Sequence, residues 1–181
     1  VKVPPSKSMA HRAIICAALS DNSCRIDNID YSDDIIATIA GMIAFGAKID
    51  KYETYVEVEG IYSRNAEVDS TRIVDCNESG STLRFLVPMA LLLDGSTKFI
   101  GRGNLGKRPV TTYYNIFDKQ GISYTNTESV LNLVVSGRLK SDVFEVEGNV
   151  SSQFITGLLF TLPLLEGDSK IIITKEMEYK G

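Results

Sequence analysis

The stretch Ser79-Gly80-Ser81-Thr82-Leu83-Arg84-Phe85-Leu86-Val87-Pro88-Met89-Ala90-Leu91-Leu92-Leu93 runs on into Asp94-Gly95-Ser96 and Thr97-Lys98-Phe99-Ile100. It reads as a serine-opened helix that is apolar on nearly every face, then a tight turn, then a short strand. A helix without a polar face has to be buried. The same order occurs on both sides. Upstream, Ser6-Lys7-Ser8 opens an apolar helix over residues 9–19, Asp21-Asn22-Ser23 turns, and residues 24–29 alternate like a half-buried strand. Downstream, Ser151-Ser152-Gln153 opens an apolar helix to residue 165, Glu166-Gly167-Asp168 turns, and Lys170-Ile171-Ile172-Ile173 is a strand. Ser8 and Ser81 are 73 positions apart and Ser81 and Ser152 are 71; the turns at Asp21, Asp94 and Glu166 are 73 and 72 apart. That regularity marks a repeat of about 70 residues, one supersecondary unit per copy.

The rest of each copy follows. Ser32-Asp33-Asp34 supplies a cap and first-turn acids for a helix over 35–45, closed by Gly46, and a hairpin spans 47–50 and 55–59. In the second copy, a loop over 101–107 leads to Arg108-Pro109, a helix over 110–119 closed by Gln120-Gly121, and strands near 122–124 and 131–135. The third copy starts with a strand over 143–147 and stops after residue 173, where a second helix and hairpin are due. We therefore expect an α/β fold in one domain over 1–181, with repeats at about 1–65, 66–140 and, in part, 141–181. One unit cannot bury its apolar helix alone, so the copies should pack about a shared axis, helices inside and sheets outside. The helix starts at Lys7-Ser8, Gly80-Ser81 and Ser151-Ser152 would then gather at one end.

Composition narrows the function classes. Of 181 residues, 44% are hydrophobic and 23% charged, as in ordinary globular proteins. No apolar run approaches the ~18 residues of a membrane span, and a net charge of -4 without a basic stripe argues against nucleic-acid binding. We expect a cytoplasmic monomer. Cys16, Cys24 and Cys76 show no CxxC spacing, and Cys16 lies where core is expected. A single histidine, His11, excludes a multi-histidine metal site; its role, structural or ligand-facing, stays open. Capping and turn chemistry accounts for Asp27, Asp30, Asp33 and Asp34, so no metal is expected.

Lys7 and Arg12 sit in the first turns of a helix, where the partial positive charge of the N-terminus disfavours cations. An anion shared between these side chains and free backbone amides explains them better than helix stability does.

Pro5-Ser6-Lys7-Ser8 with Arg12, Ser79-Gly80-Ser81-Thr82-Leu83-Arg84, Lys107-Arg108-Pro109 and Ser151-Ser152-Gln153 fall in order along nearly the whole chain. Together they resemble the motifs of the 3-phosphoshikimate 1-carboxyvinyltransferase family. The resemblance implies an inside-out α/β barrel built from βαβαββ units. It implies transfer of the enolpyruvyl group of phosphoenolpyruvate to the 5-hydroxyl of shikimate 3-phosphate, in aromatic amino-acid biosynthesis, without metal or organic cofactor. Carried over by motif, Lys7 touches both substrates and takes part in proton transfer. Ser8, Arg12, Ser151, Ser152 and Gln153 hold shikimate 3-phosphate; Gly80, Arg108 and Gln153 meet phosphoenolpyruvate. Arg84 is expected to satisfy buried carbonyls or acids. Residues 101–107 are expected to form a mobile loop that positions Arg108, with Arg102 as a secondary ligand.

Two alternatives differ in chemistry. A non-catalytic phosphate-binding module would use the same helix starts. The related enolpyruvyl transferase acting on UDP-N-acetylglucosamine resembles this chain less, having Ala-Lys-Asn at the opening and a cysteine in the loop matching 101–107, where none stands here. The family's C-terminal domain, with its acid/base residues, is not in this sequence, so the chain alone is expected to be inactive.

Overall fold

The computed structural model describes residues 3–63, 69–108, 110–127 and 130–176. Pro109 and the tail 177–181 lie outside the described residues. In chain order the elements are α1 (Lys7–Ala18), β1 (Ser23–Asp27), α2 (Asp33–Ala44), β2 (Lys48–Lys51) and β3 (Tyr55–Glu59); then β4 (Thr71–Asp75), α3 (Gly80–Ala90), β5 (Ser96–Ile100), α4 (Thr111–Gln120), β6 (Ser123–Thr125) and β7 (Asn132–Ser136); then β8 (Val143–Val146), α5 (Ser152–Thr161) and β9 (Lys170–Ile173). Helix starts follow the caps. Ser6, Ser79 and Ser151 precede α1, α3 and α5, each accepting a hydrogen bond from an amide of the first turn. Gly121 ends α4 at φ 67, a conformation that glycine adopts without a Cβ penalty.

Three sheets match the three copies. β1-β3-β2 is antiparallel, β4-β5-β7-β6 joins a parallel β4–β5 pair to antiparallel neighbours, and β8 pairs in parallel with β9. In the second and third copies a parallel pair flanks the inner helix, as β4-α3-β5 and β8-α5-β9, the crossover that a parallel pair needs. β4 is absent from the sequence reading. Its inward residues are Val74 and Arg72, and a buried arginine disguises the alternation. Arg72 is 4% exposed and donates to the Thr97 hydroxyl and to the carbonyls of Asp69 and Asp94, which accounts for its burial.

Two expectations need correction. Cys16 is exposed, because α1 buries Ala10, His11, Ile14, Ile15, Ala17 and Ala18 and turns Met9 and Cys16, two helical turns apart, outward. β1 is mostly exposed rather than half-buried, with only Ile26 partly covered.

α3 is the central element. It packs against α5 and α2, and of its eleven residues only Ser81 and Arg84 are not fully buried. Pro88 stands inside it and has no N–H for the Arg84 carbonyl one turn back. That carbonyl finds another donor, since the buried Tyr113 hydroxyl of α4 donates to it. The same hydroxyl lies 3.3 Å from the Phe154 carbonyl of α5. Gly157 of α5 completes the fit, because a Cβ there would overlap both the Arg84 carbonyl oxygen and the Tyr113 hydroxyl. Burial pushes the Tyr113 phenol far above its ordinary range, so it stays a donor at any ordinary pH.

Tyr113→Phe leaves the Arg84 carbonyl unpaired, and we predict a loss of about 1–3 kcal/mol in urea denaturation. In a Pro88→Ala background the restored amide can take that carbonyl, so the same Tyr113→Phe change should cost clearly less. Additive losses in the double-mutant cycle would contradict this account.

Candidate functional site

The starts of α1, α3 and α5 are joined by side chains into one cluster. Lys7 Nζ lies 2.7 Å from the Asp34 carboxylate at the start of α2. The Asp34 carbonyl accepts from the Thr82 hydroxyl of α3 at 3.2 Å. On the other side, Gln153 Nε2 donates to Ser81 Oγ, and Gln153 Oε1 accepts from Arg84 Nη1, both at 2.8 Å. Apart from the Lys7–Asp34 pair, which lies within the first copy, each of these bonds joins one copy to another.

Charge at this end is unbalanced. None of the three helices has an acid in its first turn. Arg12 lies over the Phe85 ring and donates to the Ser8 carbonyl and hydroxyl at 2.8 and 2.6 Å, without a carboxylate partner among the described residues. Of the carbonyls or acids expected to take its charge, Arg84 meets the side-chain carbonyl of Gln153 and no acid among the described residues; it also stacks over the Phe154 ring. Its Nε is buried without a partner among the described residues. Burial first, then the like charge of Arg108, lower the Arg84 pKa. Arg108 is exposed, and its guanidinium lies against Gly80: a Cβ there would stand 2.5 Å from Arg108 Nη1 and 3.0 Å from Arg84 Nη1. Two guanidiniums converge where the backbone has no side chain, a geometry that suits a doubly charged oxyanion.

The loop before Arg108 is tied down. Arg102 pairs with Asp75 of β4, and its amide donates to the Asn77 carbonyl at 2.8 Å. Arg102 thus spends its charge on the scaffold rather than on the site. Ser8 and Ser152 are exposed at their helix starts, and Ser151 Oγ accepts from the Gln153 amide at 3.3 Å. The structure thereby brings Gly80, Arg108 and Gln153 together around Arg84 and Ser81, and ties Lys7 to α3 through Asp34. The grooves elsewhere on the surface, such as one of about 350 Å³ between α4 and β8 lined by Ile116, Lys119 and Phe144, lie apart from this cluster.

Sequence reasoning missed Asp34, Thr38, Ser81 and Thr82 as parts of the site. One signal was available: Lys7 and His11 are four residues apart, hence on one face of α1. His11 is 2% exposed, with Nδ1 2.8 Å from Thr38 Oγ1 and its ring edge-on to Phe85. Burial, reinforced by Lys7 and Arg12 and opposed by Asp34, lowers its pKa from 6.5 to about 4. Its role is structural as far as direct contact goes. For Asp34, burial would raise the pKa, but the Lys7 hydrogen bond and charge, with His11 and Ser79, hold it below the ordinary carboxylate value.

Fold and site together define a three-copy α/β class whose inner helices present cations and first-turn amides at one end. The comparisons narrow the class. A family model described as EPSP synthase (3-phosphoshikimate 1-carboxyvinyltransferase) matches residues 1–180, and the chain belongs to that family. Proteins named 3-phosphoshikimate 1-carboxyvinyltransferase from Clostridium beijerinckii and Clostridioides difficile are 65% and 61% identical over the whole of this chain, which spans 42% and 43% of their lengths. An EPSP synthase structure from Acinetobacter baumannii superposes with a TM-score of 0.83 at 20% identity, covering 98% of this chain and 41% of its own, which shows the fold.

We predict that stability falls as pH is lowered from about 6.5 to about 4. In that window the unfolded chain takes a proton on His11 that the folded chain refuses, at a cost of roughly 3 kcal/mol. Urea midpoints measured across the window should decline for the native chain and stay nearly level there for His11→Asn; equal slopes would remove His11 as the cause.

Proposed function

We propose that this chain forms the shikimate 3-phosphate half-site, and part of the phosphoenolpyruvate site, of an enzyme that transfers the enolpyruvyl group from phosphoenolpyruvate to the 5-hydroxyl of shikimate 3-phosphate. The observation that carries this reading is the group of arginines, Arg12, Arg84 and Arg108, that meet no acid among the described residues, at the joined helix starts of a chain in this family. In an acidic protein, cations left without acids in this way mark where an anion belongs.

The roles follow from position. Arg12, Ser8, Ser151 and Ser152 line the helix starts and offer donors to the phosphate and ring hydroxyls of shikimate 3-phosphate. Gln153, locked between Arg84 and Ser81, presents its amide between the two substrates. Gly80 lets the carboxylate or phosphate of phosphoenolpyruvate reach the α3 amides beside Arg108. Lys7, paired with Asp34, stands where both substrates meet and takes part in moving a proton to the phosphoenolpyruvate methylene carbon. The 5-hydroxyl oxygen adds to the adjacent carbon as its O–H bond breaks and the proton passes to a base, giving a tetrahedral intermediate; loss of phosphate and of a proton from the new methyl group restores the double bond. We place the remaining acid/base residues in the part of the enzyme that this chain does not span, and the protein in the cytoplasm as a monomer.

Calorimetric titration of the 181-residue chain should show binding of shikimate 3-phosphate that weakens at least about tenfold in Lys7→Ala and in Arg12→Ala, the scale of one lost charged hydrogen bond. Indifference to shikimate 3-phosphate, with inorganic phosphate bound equally well, would favour a generic phosphate module instead. The chain alone should release no phosphate when given both substrates; steady release dependent on both would show that this half is sufficient for turnover.

A further inference from the structure

A line of hydrogen bonds runs inward from Lys7 and ends on the one histidine. Its steps are Lys7 Nζ to Asp34 Oδ2 at 2.7 Å, the Asp34 carbonyl to Thr82 Oγ1 at 3.2 Å, Thr82 Oγ1 to Thr38 Oγ1 at 2.8 Å, and Thr38 Oγ1 to His11 Nδ1 at 2.8 Å, with Ser79 Oγ beside it, 2.8 Å from Thr82 Oγ1. Thr38, Thr82, Ser79 and His11 are all buried. The proton inventory fixes the direction of the inner steps. The Asp34 carbonyl can only accept, and the single Thr82 hydroxyl proton is shared between it and Ser79 Oγ. Thr82 has no second proton, so Thr38 must donate to Thr82. Thr38 is spent in turn, and its contact with His11 requires the imidazole proton on Nδ1.

We propose that His11 is a positioning residue for Lys7: by donating from Nδ1 into this one-way chain, it holds Thr82 on the Asp34 carbonyl, and so Asp34 in the orientation that receives the Lys7 ammonium. A second observation agrees with the direction. His11 Nε2, left with a bare lone pair by this tautomer, is buried with no hydrogen-bond partner among the described residues. If His11 only filled space, the commoner Nε2–H form, or an apolar side chain against Phe85, would serve as well. The charged groups acting on the ring are Lys7 and Arg12 from its own helix and Asp34 from α2; α3 brings Thr82, through Thr38, and the Phe85 ring. With burial lowering its pKa, the ring is neutral near pH 7, as a single Nδ1 donor requires.

The test is nitrogen-15 and carbon-13 NMR on the full 181-residue chain at pH 7, with folding monitored by circular dichroism. The native imidazole should be the Nδ1–H tautomer; an Nε2–H tautomer overturns the proposal without any variant being made. In Thr38→Val the Nε2–H form should appear. In His11→Leu the nuclear Overhauser contacts between the Lys7 ε-methylene and the Asp34 β-methylene should be lost, and they should return in His11→Asn, whose amide keeps a donor in the Nδ1 position. Unchanged Lys7–Asp34 contacts in folded His11→Leu overturn the positioning role. The link to substrate rests on the reading of Lys7 given above: affinity for shikimate 3-phosphate should drop in His11→Leu and recover in His11→Asn. Failure of the native chain to bind shikimate 3-phosphate would count against that reading, while the tautomer and the Lys7–Asp34 contacts decide the proposal independently.

Discussion

Three helix N-termini that meet at one end of a protein concentrate partial positive charge and unbonded amides, and the rest of this chain is arranged around keeping that end polar, joined and uncompensated. Serine caps satisfy part of the demand at each start. Acids are kept out of the first turns of α1, α3 and α5, and the carboxylate that does approach, Asp34, comes from α2 and is committed to Lys7. What remains is a surplus of guanidinium around Gly80, which a dianionic ligand would neutralise.

The scaffold holds this arrangement by polar bonds between copies, laid over an apolar core. Thr38 and Thr82 join the first copy to the second, and Ser81, Arg84 and Gln153 join the second to the third. Beneath them, Phe85 and Leu86 of α3 and Phe154 and Leu158 of α5 are essentially fully buried, so the helix starts cannot drift apart without opening the core. Site geometry and fold stability are here carried largely by the same residues.

Much of this was legible in the sequence. The spacing of the serine-opened apolar helices gave the copies, the fold class and the gathered helix starts, because an all-apolar helix has few places to go. The motifs at Lys7, Gly80, Arg108 and Gln153 gave the residues of the end itself. What stayed hidden depends on partners distant in sequence. β4 was missed because its inward arginine is satisfied by Asp69, Asp94 and Thr97. Asp34 looked like a cap, since nothing local reveals that its carboxylate reaches back 27 residues to Lys7. Cys16 was misplaced because an apolar-looking α1 still has one face that no neighbour covers.

The proline inside α3 shows how far the copies are modular. In solenoid repeats each unit completes its own hydrogen bonding and stacks on the last. Here the Arg84 carbonyl, stripped of its donor by Pro88, accepts from Tyr113 of the same copy, so the second copy heals its own proline. The space beside that bond is another matter: it is closed by α5 of the third copy, where Gly157 leaves no Cβ to keep the two helices apart. The copies are thus self-sufficient in hydrogen bonding and interdependent in packing.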